Sequence, residues 1–170
     1  MTAQAEAVIR YATLDDMEEV AALFDSYRQF YNEEPNYVGS LHFLRERVFL
    51  GESQVIVAVV GDEIAGFTQL FPSFSSVTMQ RLWILNDLYV KQAFRSLGIG
   101  ENLLQGAANF AHQAGAKQLF IEGAVDNLRA CALYERFGFI RNRGYYYYHY
   151  PLHAAATTPD EQINVVPTAK

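Results

Sequence analysis

A long apolar strand that runs directly into a glycine-bearing loop and a helix restricts the fold of this chain more than any other stretch. The segment MQRLWILNDLYV (79–90) has the apolar content of a mostly buried strand, and FRSLGIGENLL (94–104) follows it. Gly115 ends the helix predicted over 98–113, and QLFIEGAV (118–125) is the next predicted strand. Strands and helices that alternate in this way indicate an α/β fold.

The rest of the chain predicts a mixed, mostly antiparallel sheet of six to seven strands with about four helices. The remaining predicted elements are a strand over 8–11, a helix from about Leu14 to the break at Pro35, a helix over 40–49, strands over 54–60 and 63–71, a loop FPSFSSV (71–77), a helix over 127–137, and a hairpin formed by FIRN (139–142) and YYYYHY (145–150). Residues 1–153 are interpreted as one domain. We expect residues 154–170, which are rich in Ala, Thr and Pro, to be a flexible tail.

Composition excludes several classes of protein. Thirteen basic and nineteen acidic residues give a net charge of −6, which argues against a nucleic-acid partner. The single cysteine, Cys131, allows no internal disulfide, and the four histidines show no paired spacing, so no metal site is expected. No apolar run reaches the roughly 18 residues of a membrane span, and no secretory signal opens the chain, which predicts a cytoplasmic protein without a membrane partner.

The loop from Arg95 to Gly100 indicates an anion site, because a helix N-terminus presents free backbone N–H groups. A Walker P-loop would need Lys and Ser or Thr after the second glycine, where Glu101 and Asn102 stand. A dinucleotide fingerprint would need a small residue at position 103, which is Leu. A third pattern, Gln/Arg-x-x-Gly-x-Gly/Ala after a long strand, matches Arg95, Gly98 and Gly100.

These residues resemble the first conserved block of the GNAT superfamily of acyl-CoA-dependent N-acetyltransferases. VDNLRACALYERFGF (125–139) is similar to the second block, in which Asn begins a helix and Leu-Tyr-Glu/Lys-x-x-Gly-Phe ends it. The matching positions are Asn127, Leu133, Tyr134, Glu135, Gly138 and Phe139. The element order resembles the family over residues 8–150, and 69–90 looks like a branch of bacterial small-molecule acetyltransferases and fungal histone or D-amino-acid acetyltransferases.

The resemblance implies a single-domain GNAT-like fold in which two central parallel strands splay apart around acetyl-CoA, the co-substrate. It places pantetheine beside Leu88, Tyr89 and Val90, and beside Asn127, whose other role is a helix N-cap. The implied pyrophosphate site consists of Arg95, Ser96, Leu97, Gly98, Ile99 and Gly100.

The resemblance also assigns chemical roles. Tyr134 would donate a proton to the departing thiolate, and a backbone N–H of Leu88 or Tyr89 would polarise the thioester carbonyl. Some relatives carry a basic Glu at a position that corresponds to about Ile84, which cannot accept a proton. Asp87, or Glu122 acting through water, remains as a candidate base, and loss of the amine proton to water is the alternative.

The acceptor amine is expected between the first helices and the loop after the third strand. Tyr27, Tyr31 and Phe74 offer aromatic walls for a cation, with Asp87 nearby, although a core-facing stripe explains the same pattern. The first functional hypothesis is an N-acetyltransferase of a small-molecule amine. The alternatives are a protein lysine acetyltransferase and a non-catalytic acyl-CoA-binding regulator. The resemblance also implies a homodimer.

Overall fold

The computed structural model describes residues 6–144 and 146–152, and these residues form five strands and four helices. The strands are β1 (Val8–Tyr11), β2 (Gln54–Val60), β3 (Glu63–Ser75), β4 (Gln80–Val90) and β5 (Gln118–Ile121). The helices are α1 (Met17–Phe30), α2 (Tyr37–Phe49), α3 (Ile99–Gln113) and α4 (Leu128–Phe137), with short 3-10 turns at Leu14–Asp16 and Gln92–Phe94. Within the described ranges, no helix has the length and apolarity to cross a membrane.

The strands form one mixed sheet in the order β1-β2-β3-β4-β5. Neighbours are antiparallel from β1 to β4, whereas β4 and β5 are parallel. The predicted α/β class and the parallel pair are therefore confirmed. The predicted six to seven strands are wrong, because the described part of the chain forms five.

The two faces of the sheet pack against different helices, because successive strand residues point to opposite sides. Val55 and Val57 lie in an apolar cluster with α1 and α2, whereas Ile56 and Ala58 lie in a second cluster with α3. All four side chains are almost fully buried. The result is a three-layer structure with the sheet in the middle.

β3 is longer than its sequence predicts. Pro72 and the serines around it indicate a loop, yet residues 71–75 pair with β4 from Ile84 back to Gln80. The pairing with β2 ends at Leu70, so among the described residues this part of β3 has no neighbouring strand on its other side. Proline lacks an N–H and is tolerated on such an edge.

The predicted hairpin of FIRN and YYYYHY is also wrong. The described residues up to 139 form one compact unit, and those from 140 onward belong to a second one and form no helix or strand. Tyr146, Tyr148 and Tyr150 are each more than 80% exposed. Alternating aromatics favour a strand only where a partner covers one face. The expected flexible tail, 154–170, lies outside the described residues.

Candidate active site

A cleft of about 510 Å³ lies beside the part of β4 that continues beyond its pairing with β5. The parallel pairing joins Leu82–Leu85 to Gln118–Ile121 and ends there, while β4 continues to Val90. β5 stops four residues before its predicted end at 125. Four parts of the chain line the cleft. α1 and the turn after it contribute Tyr27, Phe30 and Tyr31, and β4 contributes Leu85, Asn86, Leu88, Tyr89 and Val90. The remaining lining residues come from the loop before α3 and its first turn (Phe94, Arg95, Ser96, Gly98, Ile99, Gly100 and Glu101) and from the segment between the end of β5 and α4 (Ile121, Glu122, Asn127, Arg129, Ala130, Ala132, Leu133, Tyr134 and Arg136).

β4 is irregular directly after Leu85, the last residue that pairs with β5. Gln69 of β3 pairs with Asp87 and Leu70 pairs with Leu85, so Asn86 is an extra residue, a β-bulge. The Tyr27 hydroxyl donates a hydrogen bond to the Asn86 carbonyl at 3.3 Å. A helix side chain therefore contacts the backbone of the bulge.

Beyond the bulge, alternation decides which backbone groups face the cleft. The Lys91 N–H donates to the Ala65 carbonyl of β3 at 2.8 Å. Alternate residues of an antiparallel strand turn their N–H groups to opposite edges, so the N–H of Tyr89 faces β3 and that of Leu88 faces the gap. The sequence analysis left open whether the backbone N–H of Leu88 or that of Tyr89 donates to the thioester carbonyl. This geometry favours the N–H of Leu88.

The loop before α3 has the backbone of an anion site. Gly98 is the N-cap of α3 with φ of +80°, and Ser96 adopts φ of +66°. The left-handed conformation suits Gly98 because glycine has no Cβ. These turns leave the first N–H groups of α3 without partners in the helix, at its positive end.

Gly100 has a different structural reason. A Cβ at Gly100 would lie 3.2 Å from Cδ2 of Leu133, so its absence lets α4 pack closely on the start of α3. The two conserved-block glycines therefore act separately, Gly98 through its backbone and Gly100 through helix packing.

Arg95 is held at the end of β4. Its Nε donates to the Val90 carbonyl at 3.0 Å, and its guanidinium lies 5.6 Å from the ring centre of Tyr89. Leu97, which was predicted as part of the pyrophosphate loop, is 44% exposed and does not line the cleft.

Tyr134 lies on α4 and lines the cleft. Burial raises the pKa of its phenol to about 12, and the nearby Tyr31 and Cys131 add to the shift. The phenol therefore carries its proton at neutral pH. Asn127 caps the same helix, since its side-chain oxygen accepts the Ala130 N–H at 3.2 Å.

Asp87 is buried beside the cleft and does not line it. Its carboxylate accepts hydrogen bonds from Gln69 Nε2 at 2.8 Å and from Asn86 Nδ2 at 3.3 Å. Burial outweighs these bonds and raises the pKa of Asp87. Burial, together with the charge of Asp87, also raises the pKa of Tyr27.

Three aromatic side chains of α1 and the turn after it form one wall. Tyr27 packs edge-on against Tyr31, with ring centres 5.1 Å apart, and Tyr31 packs against Phe30 at 5.2 Å. Phe74, predicted with them, is 67% exposed near the end of β3, lies under Arg81 and does not line the cleft.

Asp25 fixes the turn that carries Tyr31. It accepts hydrogen bonds from the Asn36 N–H at 2.8 Å, from Arg28 Nη1 at 3.0 Å and from Ser40 Oγ at 3.2 Å. Burial opposes its ionisation, but these bonds together lower the pKa of Asp25. The start of α2 is thereby joined to α1.

Sequence reasoning missed Arg129, Arg136 and Asn86 as cleft residues. Arg129 donates from Nη2 to Ser96 Oγ at 3.1 Å, and Arg136 lies 3.8 Å from Glu101. An arginine on an amphipathic helix is usually read as part of its solvated face. The seven-residue spacing of the two arginines, which places them on one helix face, was the available signal.

Known proteins are similar to this chain in sequence and in fold. A family model described as Acetyltransferase (GNAT) family matches residues 17–139. The uncharacterized N-acetyltransferase YhfO of Bacillus subtilis is 41% identical over 140 residues, which cover 82% of this chain and 94% of that protein. The streptothricin acetyltransferase of Streptomyces lavendulae is 39% identical over 89 residues, 52% of this chain and 45% of that protein. A crystal structure of a probable acetyltransferase matches with a TM-score of 0.82 and 36% identity, over 86% of this chain and 98% of that one.

Proposed function

Since the chain belongs to the acetyltransferase (GNAT) family, we propose that it transfers an acetyl group from acetyl-CoA to the primary amine of a small molecule. The amine attacks directly, in a ternary complex of enzyme and both substrates. One observation carries this proposal. The glycine loop, the free edge of β4 beyond its bulge and the phenol of Tyr134 all line a single cleft.

The chemistry of the lining residues supports acyl-CoA as the ligand. Pyrophosphate suits the N–H groups at the start of α3, which Gly98 opens by its left-handed backbone. Pantetheine carries two amides, and amides pair with an open strand edge such as Leu88–Val90. Asn127 uses its side-chain oxygen in the helix cap, which leaves its amide nitrogen for pantetheine.

The acetyl thioester supplies the activated acyl group. The neutral amine attacks the carbonyl carbon and forms the new C–N bond. The tetrahedral intermediate then collapses, the C–S bond breaks, and its electron pair leaves with sulfur. Tyr134 gives its phenolic proton to the thiolate, and the Leu88 N–H donates to the carbonyl oxygen. A phenol whose pKa is raised to about 12 keeps its proton at neutral pH, so the proton is available to sulfur as the C–S bond breaks, and solvent restores it afterwards.

The acceptor binds between α1 and the bulge. Tyr27 and Tyr31 present aromatic surface to a cationic amine, and the chain's net charge of −6 favours its approach. Similarity to a streptothricin acetyltransferase also favours a small-molecule acceptor. We retain Asp87 as the candidate proton acceptor. Because Asp87 does not line the cleft, the proton of the amine passes to it through an intervening group. Tyr27, which lines the cleft and interacts electrostatically with Asp87, is the candidate for that group.

The test is acetyl-CoA-dependent thiol release over a panel of polyamines, amino acids of both hands, aminoglycosides and a lysine-rich peptide. Each assay needs an amine-free control, because Cys131 can react with the thiol reagent. Turnover with a small amine and none with the peptide is the expected result. Turnover with the peptide alone would assign a protein acetyltransferase. Tight acetyl-CoA binding with no turnover on any amine would instead favour the regulator.

We further propose that residues 1–153 form the acetyltransferase domain, that the protein is a homodimer, and that it is located in the cytoplasm. Sedimentation equilibrium of the full chain measures the oligomeric state. A mass of about twice 19.2 kDa is expected, and a monomer at all concentrations would contradict the dimer.

A further inference from the structure

We propose that Arg129 binds a phosphate group of CoA, as a cation supplied by α4 to the loop before α3. This inference rests on the proposed function and adds a residue that lies outside the glycine pattern. The first observation is position. Arg129 lines the cleft, and its Nη2 donates to Ser96 Oγ at 3.1 Å, inside the loop that presents the backbone N–H groups.

The second observation is that Arg129 retains hydrogen-bond donors. Its guanidinium has five N–H donors, and the bond to Ser96 uses one. Among the described residues no carboxylate lies within ion-pair distance of Arg129. Arg136, in contrast, lies 3.8 Å from the carboxylate of Glu101, while Arg95 uses its Nε on the Val90 carbonyl and belongs to the glycine loop already assigned to pyrophosphate.

The third observation is that Arg129 occupies an unfavourable place for the helix itself. Asn127 is the N-cap of α4, so Arg129 is the second helical residue, and the first turn contains no acid. The N-terminus of a helix carries partial positive charge, which disfavours a cation there and favours an anion. A bound phosphate would relieve this repulsion. It would accept hydrogen bonds both from the guanidinium of Arg129 and from the backbone N–H groups of the loop.

Local charge agrees with an anionic ligand. Over the whole chain acidic residues outnumber basic ones by nineteen to thirteen, whereas three arginines and two glutamates line the cleft. Among the described residues the lining thus carries a surplus of one positive charge, opposite in sign to the net charge of the chain, which favours an anionic ligand.

The experiment compares the full-length wild type with Arg129→Ala by calorimetry, using CoA and dephospho-CoA as probes. Arg45→Ala is the matched control, because it removes one positive charge from α2 at an exposed ion pair with Glu18, outside the cleft. We expect Arg129→Ala to weaken CoA binding by about tenfold or more, as for loss of a charge-assisted hydrogen bond. Arg45→Ala should bind CoA like the wild type.

Dephospho-CoA retains the pyrophosphate and lacks the 3′-phosphate, so it identifies the group that Arg129 contacts. An equal loss with both probes assigns the pyrophosphate. A loss confined to CoA assigns the 3′-phosphate. Equal binding of CoA by the variant and the wild type would overturn the inference, whereas a wild type that binds neither probe would overturn the proposed function first.

Thermal unfolding without ligand separates this role from a structural one. If Arg129 only joined α4 to the loop, its loss would lower the melting temperature of the free protein. We expect the melting temperature of Arg129→Ala to equal or exceed that of the wild type, because a repulsive charge leaves the helix N-terminus. A lower melting temperature combined with unchanged CoA affinity would assign the structural role instead.

Discussion

Tyr134 keeps its proton over the whole neutral range, because burial raises its pKa to about 12. It can therefore serve as a proton donor wherever the amine is neutral enough to attack. We expect Tyr134→Phe to lower kcat by about 10²- to 10⁴-fold, the usual contribution of general acid catalysis. Calorimetric CoA affinity should stay unchanged, since the ring remains.

Tyr11→Phe is the control for this variant. The Tyr11 hydroxyl lies 3.5 Å from Gln113 Oε1, outside the cleft, so its loss should leave turnover at the wild-type rate. The wild-type rate should show no decline from loss of the Tyr134 proton until the pH approaches about 12. Equal turnover of Tyr134→Phe and wild type would remove Tyr134 from the role of acid.

Asp87 is expected to reduce stability in its ionised form. Burial raises its folded-state pKa above the unfolded value of about 3.9, so the folded protein binds this proton more tightly. Stability from Asp87 is therefore full below about pH 4 and is lost as the pH rises through the folded pKa. We expect Asp87→Asn to gain stability relative to the wild type over that rise, in urea unfolding at a series of pH values.

The matched change is Asp62→Asn in the exposed β2–β3 turn. Its stability should track the wild type at each pH. A difference between Asp87→Asn and wild type that stays constant with pH would show that Asp87 does not titrate with a raised pKa. Turnover of Asp87→Asn is a separate measurement, and wild-type activity there would exclude Asp87 as the base.

At the scale of elements, the sequence predicted structure where the signals are local. The bounds of β2 agree with the prediction, because a run of apolar residues meets a Gly61-Asp62 turn. α4 begins one residue after its predicted start, at a side-chain cap. Such elements depend on residues close in the chain, which a single sequence displays.

The predictions failed where contacts with residues far away in the sequence determine the structure. Residues 71–75 extend β3 because β4 lies beside them, and Pro72 is tolerated only because the other edge is open. YYYYHY has strong strand propensity, yet the described residues of this segment, 146–150, form no strand. Arg129 belongs to the cleft because α4 folds against the loop, a contact across 33 positions of sequence. Local patterns do not contain such information.

Gly98 offers a test at this scale. Its φ of +80° disfavours any Cβ, while no atom lies within 4 Å of the Cβ position, so Gly98→Ala should cost about 1 kcal/mol of stability through the backbone alone. Because that strain shifts the loop, CoA affinity should also fall. Chemical denaturation and calorimetry measure the two effects.

Gly115 supplies the matched control at the other end of α3. It has φ of +69° with no atom within 4 Å, and so shares the conformation of Gly98 without lining the cleft. Gly115→Ala should lose a similar stability and retain CoA affinity. Equal CoA affinities for the two variants would mean that the conformation of Gly98 serves the fold and not the ligand.

For the whole molecule, the cleft joins elements from both faces of the sheet, so a ligand there should stabilise the compact unit of residues 1–139. A ligand at one hundred times its Kd adds about 2.7 kcal/mol to the free energy of unfolding. For a chain of this length that corresponds to a rise in melting temperature of roughly 5–10 °C. CoA should produce it in a thermal shift series, whereas an unchanged melting temperature at saturation would contradict binding to the folded state.

Direct attack also makes a prediction about Cys131, the chain's one thiol. An acyl-enzyme on this thiol would require Cys131 to reach the thioester, yet Cys131 does not line the cleft and its Sγ lies 3.5 Å from the Ala124 carbonyl. Acetyl-CoA without amine should therefore release no stoichiometric burst of CoA, and Cys131→Ala should retain turnover. A burst equal to the enzyme concentration that disappears in Cys131→Ala would replace direct attack by a two-step transfer, since the acetyl group would then rest on sulfur before the amine arrives.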